Sequence, residues 1–158
     1  MGREVKRVTI TAEGRDKGKV FVLTEMPGAR AEKWGMRMLN GAMQSGISLG
    51  DIDPMTGMAG VAGLGLLAVQ AIARMPWAIA EPLLDEMFEC VQIQTPDGSM
   101  VRALVDSDTE EIATRLQLRE EVASLHLGFS LAERFATWMQ AMLTQISSTT
   151  PTSPGPSA

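Results

Sequence analysis

A chain of 158 residues, 45% hydrophobic and 21% charged, is long enough to bury one real core and too short to need a second domain. Its 14 basic and 19 acidic residues leave a net charge of −5 spread over both signs, which excludes the broad basic field that recruits nucleic acid. The single cysteine, Cys90, excludes an internal disulfide and suits a reducing cytoplasm.

The chain begins with Arg3, Glu4, Lys6 and Arg7 and no apolar stretch behind them, so it does not read as a signal peptide. Val8, Ile10 and Ala12 alternate at strand spacing, and Val20 to Leu23 form a second apolar run. With Glu13 to Gly18 between them, these predict a β-hairpin with a charged, mobile tip. Gly14-Arg-Asp-Lys-Gly18-Lys19 is one residue short of a phosphate loop and runs into Val20, so it remains a hairpin tip. Pro27 and Gly28 stop the strand, and Ala31, Trp34, Met38 and Ala42 then mark one face of a helix over Ala29 to Gln44.

From Pro54 to Ala73 no residue is charged, enough at about 1.5 Å per residue to cross a bilayer of about 30 Å. Asp53-Pro54 is a good helix start, but Gly57, Gly60, Gly63 and Gly65 weaken the helix. Neither aromatic belt nor basic flank stands at the Asp51/Asp53 end. The expectation is a helix covered by protein rather than lipid. Gly63-Leu-Gly65-Leu-Leu-Ala68 matches a relaxed dinucleotide fingerprint, but it lies inside a helical run and lacks the strand that cofactor binding requires.

Pro76 closes that helix, and Glu81-Pro82 is read as opening a shorter one through Leu83, Leu84 and Met87. Val91 to Thr95 and Met100 to Val105 flank Pro96-Asp-Gly-Ser99, predicting a second hairpin. Ser107-Asp-Thr-Glu110 has the capping-box pattern and opens a long last helix. Leu118, Val122, Leu125, Phe129, Ala132, Ala136, Met139, Leu143 and Ile146 form a continuous seam on it, assigned to the core. A second stripe of Leu131, Phe135, Trp138 and Met142 exceeds what one neighbouring helix covers, and points to a partner or to self-association. From Ser147 the Ser/Thr/Pro-rich end has too little apolar content to order. The predicted fold is therefore a single α+β domain over residues 1–146 in the order ββαααββα, with a disordered tail at 147–158.

Catalytic groups are sparse. His126 is the only histidine and reads as structural, and no metal-ligand or nucleophile constellation surrounds it in sequence. The acidic pairs Asp85/Glu86, Asp106/Asp108 and Glu110/Glu111 are read as sitting at helix starts, where carboxylates complement the dipole. No enzyme, cofactor or metal site is expected. Methionine is the outlier, at 12 residues against no tyrosine, and its flexible thioether suits adaptable apolar surfaces.

Glu4 to Met26, Ala31-Glu-Lys-Trp34, Ala80-Glu-Pro-Leu-Leu-Asp-Glu-Met87 and Ile112 to Arg119 running into Leu125-His-Leu-Gly-Phe129 together resemble tail assembly chaperones of long-tailed bacteriophages. The resemblance covers about residues 4 to 130 and rests on the order of elements, since the family has no catalytic signature. It implies a non-enzymatic protein of the host cytoplasm that binds the tape measure protein, assists the tail-tube protein in assembling around it, and is absent from the finished particle. The candidate partner-binding residues are Met38, Met43 and Met58 on the first two helices and Leu131, Phe135, Trp138 and Met142 on the last. The alternatives are a minor structural protein of the tail and a small membrane-active phage protein.

Overall fold

The computed structural model describes residues 2–46 and 68–126, together with helical positions 137, 141, 144 and 145. The start of the uncharged helix at Asp53, its glycines, the seam from Phe129 onward, the second stripe and the 147–158 tail all lie outside the described residues.

The fold is mixed α+β. Strands β1 (Val5–Thr9) and β2 (Val20–Thr24) lead into helix α1 (Gly28–Gln44), residues 68–74 are helical, and helix α2 follows (Trp77–Phe88). Strands β3 (Val91–Gln94) and β4 (Val101–Ala103), a short 3-10 turn (Asp106–Asp108) and helix α3 (Ile112–His126) complete the order expected from sequence. The two predicted hairpins are not separate units. β2 pairs with β3 antiparallel, with Phe21 opposite Ile93 and Leu23 opposite Val91, so all four strands join one sheet in the order β1-β2-β3-β4.

Register then decides which side is covered. Val8, Phe21 and Ile93 stand opposite one another across three strands, and with Leu23 and Val91 they are buried against the helices. The opposite face carries Arg7, Thr9 and Gln92, all exposed, around a single buried Val22. Trp34, Ile72, Leu83, Met87, Leu118 and Val122 close the core from the helical side. Trp34 is 2% exposed, and its indole N–H donates to the Leu83 carbonyl at 3.1 Å. α1 approaches the next helices at Gly41, where a Cβ would stand 2.7 Å from Met75 Sδ and 3.1 Å from Ile79 Cγ2.

α1 and α2 begin alike. Pro27 and Pro76 are extended (ψ 144 and 140), and each offers its carbonyl to two amides of the first turn at 2.9 to 3.0 Å. α2 therefore starts at Trp77, and the reading of Glu81-Pro82 as its start is corrected: Pro82 lies inside the helix. It removes the N–H that would serve the carbonyl of Ala78, which is an exposed residue where water can replace it. Asp85 and Glu86 consequently sit in the later half of α2 rather than at its start, so dipole capping does not account for them.

α3 begins differently. The hairpin tip, expected to be mobile, is tied down: Asp16 is 1% exposed and its carboxylate accepts the Glu110 amide at 3.0 and 3.1 Å and the Glu111 amide at 2.8 Å. Lys19 Nζ donates to the same carboxylate at 2.8 Å and to the Asp108 carbonyl at 3.0 Å. In return Glu111 Oε1 accepts from Arg15 Nε at 2.9 Å and from the Arg15 amide at 3.3 Å. This is a reciprocal cap built from two distant segments, and it replaces the local box predicted at Ser107-Glu110. Burial pushes the Asp16 carboxyl upward, but the hydrogen bonds from Lys19, the two amides and Thr114 outweigh it and hold the group well below the usual carboxylate range. Asp108 is occupied elsewhere. It takes the Arg102 fork at 2.7 and 2.8 Å and the Val105 amide at 2.8 Å, which folds the 3-10 turn before α3.

Candidate partner-binding surface

A helix that covers a sheet buries one stripe and leaves the other to water, and α1 shows both clearly. Trp34, Met38, Gly41 and Ala42 face the core, Met38 only partly buried against it. Met36 follows Trp34 by two residues, about 200° around the helix, and Met43 follows Met36 by seven, which returns to the same side. These two methionines are 59% and 54% exposed. Trp77, the first residue of α2, is 65% exposed. Ion pairs Arg30–Glu89 and Arg37–Glu86 tie α1 to α2, and as surface pairs they contribute orientation more than stability.

Of the residues proposed from sequence, Met43 lies on the exposed side of α1 and Met38 on its inner side. Met58, Leu131, Phe135, Trp138 and Met142 lie outside the described residues. Trp77 and Met36 were not singled out. Trp77 was hidden because Pro76 reads in sequence as a helix end, whereas in the structure it caps the start of α2. Further apolar side chains are exposed at Met100, Val101, Val105, Ile112 and Leu116, near the β4 edge in sequence and at the start of α3.

The reactive side chains are engaged in structure. The Met26 amide donates to His126 Nε2 at 2.8 Å, while His126 Nδ1 lies 2.8 Å from the Val122 carbonyl. A carbonyl needs a donor and an amide needs an acceptor, so these contacts select the neutral Nδ1–H tautomer. The ring also packs beside Trp34, centroids 6.2 Å apart, which makes His126 the pin between the end of α3 and the entry to α1. Cys90 is buried, and that burial pushes its thiol up to about 11, leaving it protonated at neutral pH. Among the described residues no helix is long and apolar enough to cross a membrane, and no group of three or more potential ligands could hold a metal ion.

No family model matches the chain, and neither a curated protein nor a solved structure shows significant similarity to it.

Proposed function

We propose that this protein is a non-enzymatic tail assembly chaperone of a long-tailed bacteriophage, which holds the tape measure protein in the host cytoplasm and assists the tail-tube protein in assembling on it. The reading rests on the resemblance over residues 4 to 130. The structural observation that supports it best is the exposure of Met36, Met43 and Trp77 on the helical side of the domain. Methionine and tryptophan are the residues with which a surface accepts varied helical partners: the thioether adapts its shape, and the indole anchors. The Leu131, Phe135, Trp138 and Met142 stripe is assigned to the same partner or to self-association.

Co-expression with a phage tape measure protein, followed by affinity capture, tests this. The expected result is that the partner stays soluble and co-purifies, and that Trp77→Glu with Met43→Glu weakens capture by about tenfold or more while the fold is kept. Failure to capture it overturns the proposal, and recovery of the protein from purified virions moves the function to a minor structural component of the tail.

A further inference from the structure

The two ends of α3 are held by titratable side chains that need opposite protonation states. At its start the Asp16 carboxylate accepts the Glu110 and Glu111 amides, which it does best when ionised. At its end the His126 ring must be neutral. Nε2 accepts the Met26 amide at 2.8 Å through its lone pair, and a proton placed there would meet that N–H donor to donor. Protonation of the ring and the bond to Met26 therefore exclude each other.

The charged ring is not stranded when that bond breaks. Nδ1–H keeps the Val122 carbonyl, 2.8 Å away, in both forms, and His126 is the last residue of α3, where the helix dipole favours a cation. The ring is half-buried and within reach of solvent, whereas Met26 is 4% exposed. The contacts to the ring come from Met26, Val122 and Trp34, none of which titrates. Of the charged groups on the elements that meet there, Arg30, one turn before Trp34 on α1, pairs with Glu89, and Glu121 on α3 pairs with Lys6 of β1. Arg119, two turns before His126, donates to the Leu84 carbonyl, and Glu25 adjoins Met26 in the chain. No hydrogen bond or ion pair among the described residues joins any of these charges to the ring.

We infer that His126 is a proton-operated catch: neutral, it fastens the end of α3 to the junction of β2 and α1, and charged, it lets go while Asp16 still holds the start of the helix. The order follows from the chemistry of the two groups, since a free imidazole takes up its proton near pH 6.5 and a free carboxylate near pH 4, both about. Because the proton binds only the open form, acidification favours opening, by up to about tenfold per pH unit below about 6.5. This goes beyond the proposed function and does not depend on it.

The test is nitrogen NMR of the histidine ring together with amide hydrogen exchange of the full chain, between about pH 7.5 and about pH 5. At the upper end the ring should be the neutral Nδ1–H tautomer. As pH falls, the ring and the Met26 amide resonance should move with one midpoint, and the protection of the Met26 amide should drop by up to about tenfold per pH unit. The Phe21 amide, in the β1–β2 ladder, should keep its protection. His126→Gln supplies an acceptor that does not titrate, and should make the Met26 protection independent of pH over this range. An Nε2–H tautomer, or Met26 protection that stays level while the ring titrates, overturns the catch. Equal loss at Phe21 means opening of the whole domain and overturns it too, as does the same pH dependence in His126→Gln. Should His126→Gln not fold, the wild-type midpoints decide, and separate midpoints for the ring and the Met26 amide overturn the proposal.

Discussion

The two ends of this domain's helical layer are secured by opposite means. α1 and α2 begin on the carbonyl of an adjacent proline and are clamped together by apolar packing around Trp34 and Gly41. α3 begins on a carboxylate that arrives from 94 and 95 residues earlier in the chain, inside a network of charges. In the first arrangement only the proline caps are local, and the clamp itself rests mainly on apolar contact. The second joins the β1–β2 hairpin to the start of α3 directly, so that junction, unlike the apolar packing of Leu118 and Val122 further along the helix, is strongest while Asp16 is ionised.

The apolar clamp should produce the largest effect when broken. Trp34→Ala removes a side chain 2% exposed and its bond to Leu83, and should cost about 3 to 5 kcal/mol in chemical denaturation at pH 7. A loss under about 1 kcal/mol would mean the α1–α2 contact is not part of the cooperative core.

The polar clamp comes next. Asp16→Ala strands two amides and Lys19, and should cost about 2 to 3 kcal/mol at pH 7. Because the fold lowers the Asp16 carboxyl below its unfolded value, its contribution is complete above about pH 4 and is lost as pH falls through the lower, folded value. Asp16→Asn should therefore flatten the acid limb of the stability curve. An unchanged acid limb in that variant would assign acid unfolding to other carboxylates.

Gly41 gives the finest comparison, since a new side chain there helps the helix and crowds its neighbour at once. Gly41→Ala gains about 1 kcal/mol of helix propensity but must push the flexible end of Met75 aside, so its net change should be near zero. Gly41→Val cannot be absorbed so easily and should cost about 1 to 3 kcal/mol by thermal or chemical unfolding. Equal effects from the two would show that α1 and its neighbours slide rather than interlock.

What the amino-acid sequence determined by itself was whatever leaves a local periodic trace. Alternation at Val8 and Ile10, the helical spacing of Trp34 and Ala42, the Pro96 to Ser99 turn and the Leu118, Val122, Leu125 seam each encode an element within a few residues, so their order was legible. Only the tertiary structure decided that Phe21 meets Ile93, which joins two hairpins into one sheet, and that Asp16 rather than Ser107 meets the amides before α3. Partners so far apart in the chain write no pattern around either residue, and a buried carboxylate is stable only once all its donors are assembled. The candidate surface divides the same way. Methionine's abundance pointed to adaptable apolar contact, but whether a given methionine serves the core or the solvent depends on what covers it. That is why Met38 turned inward while Met36, Met43 and Trp77 were left bare.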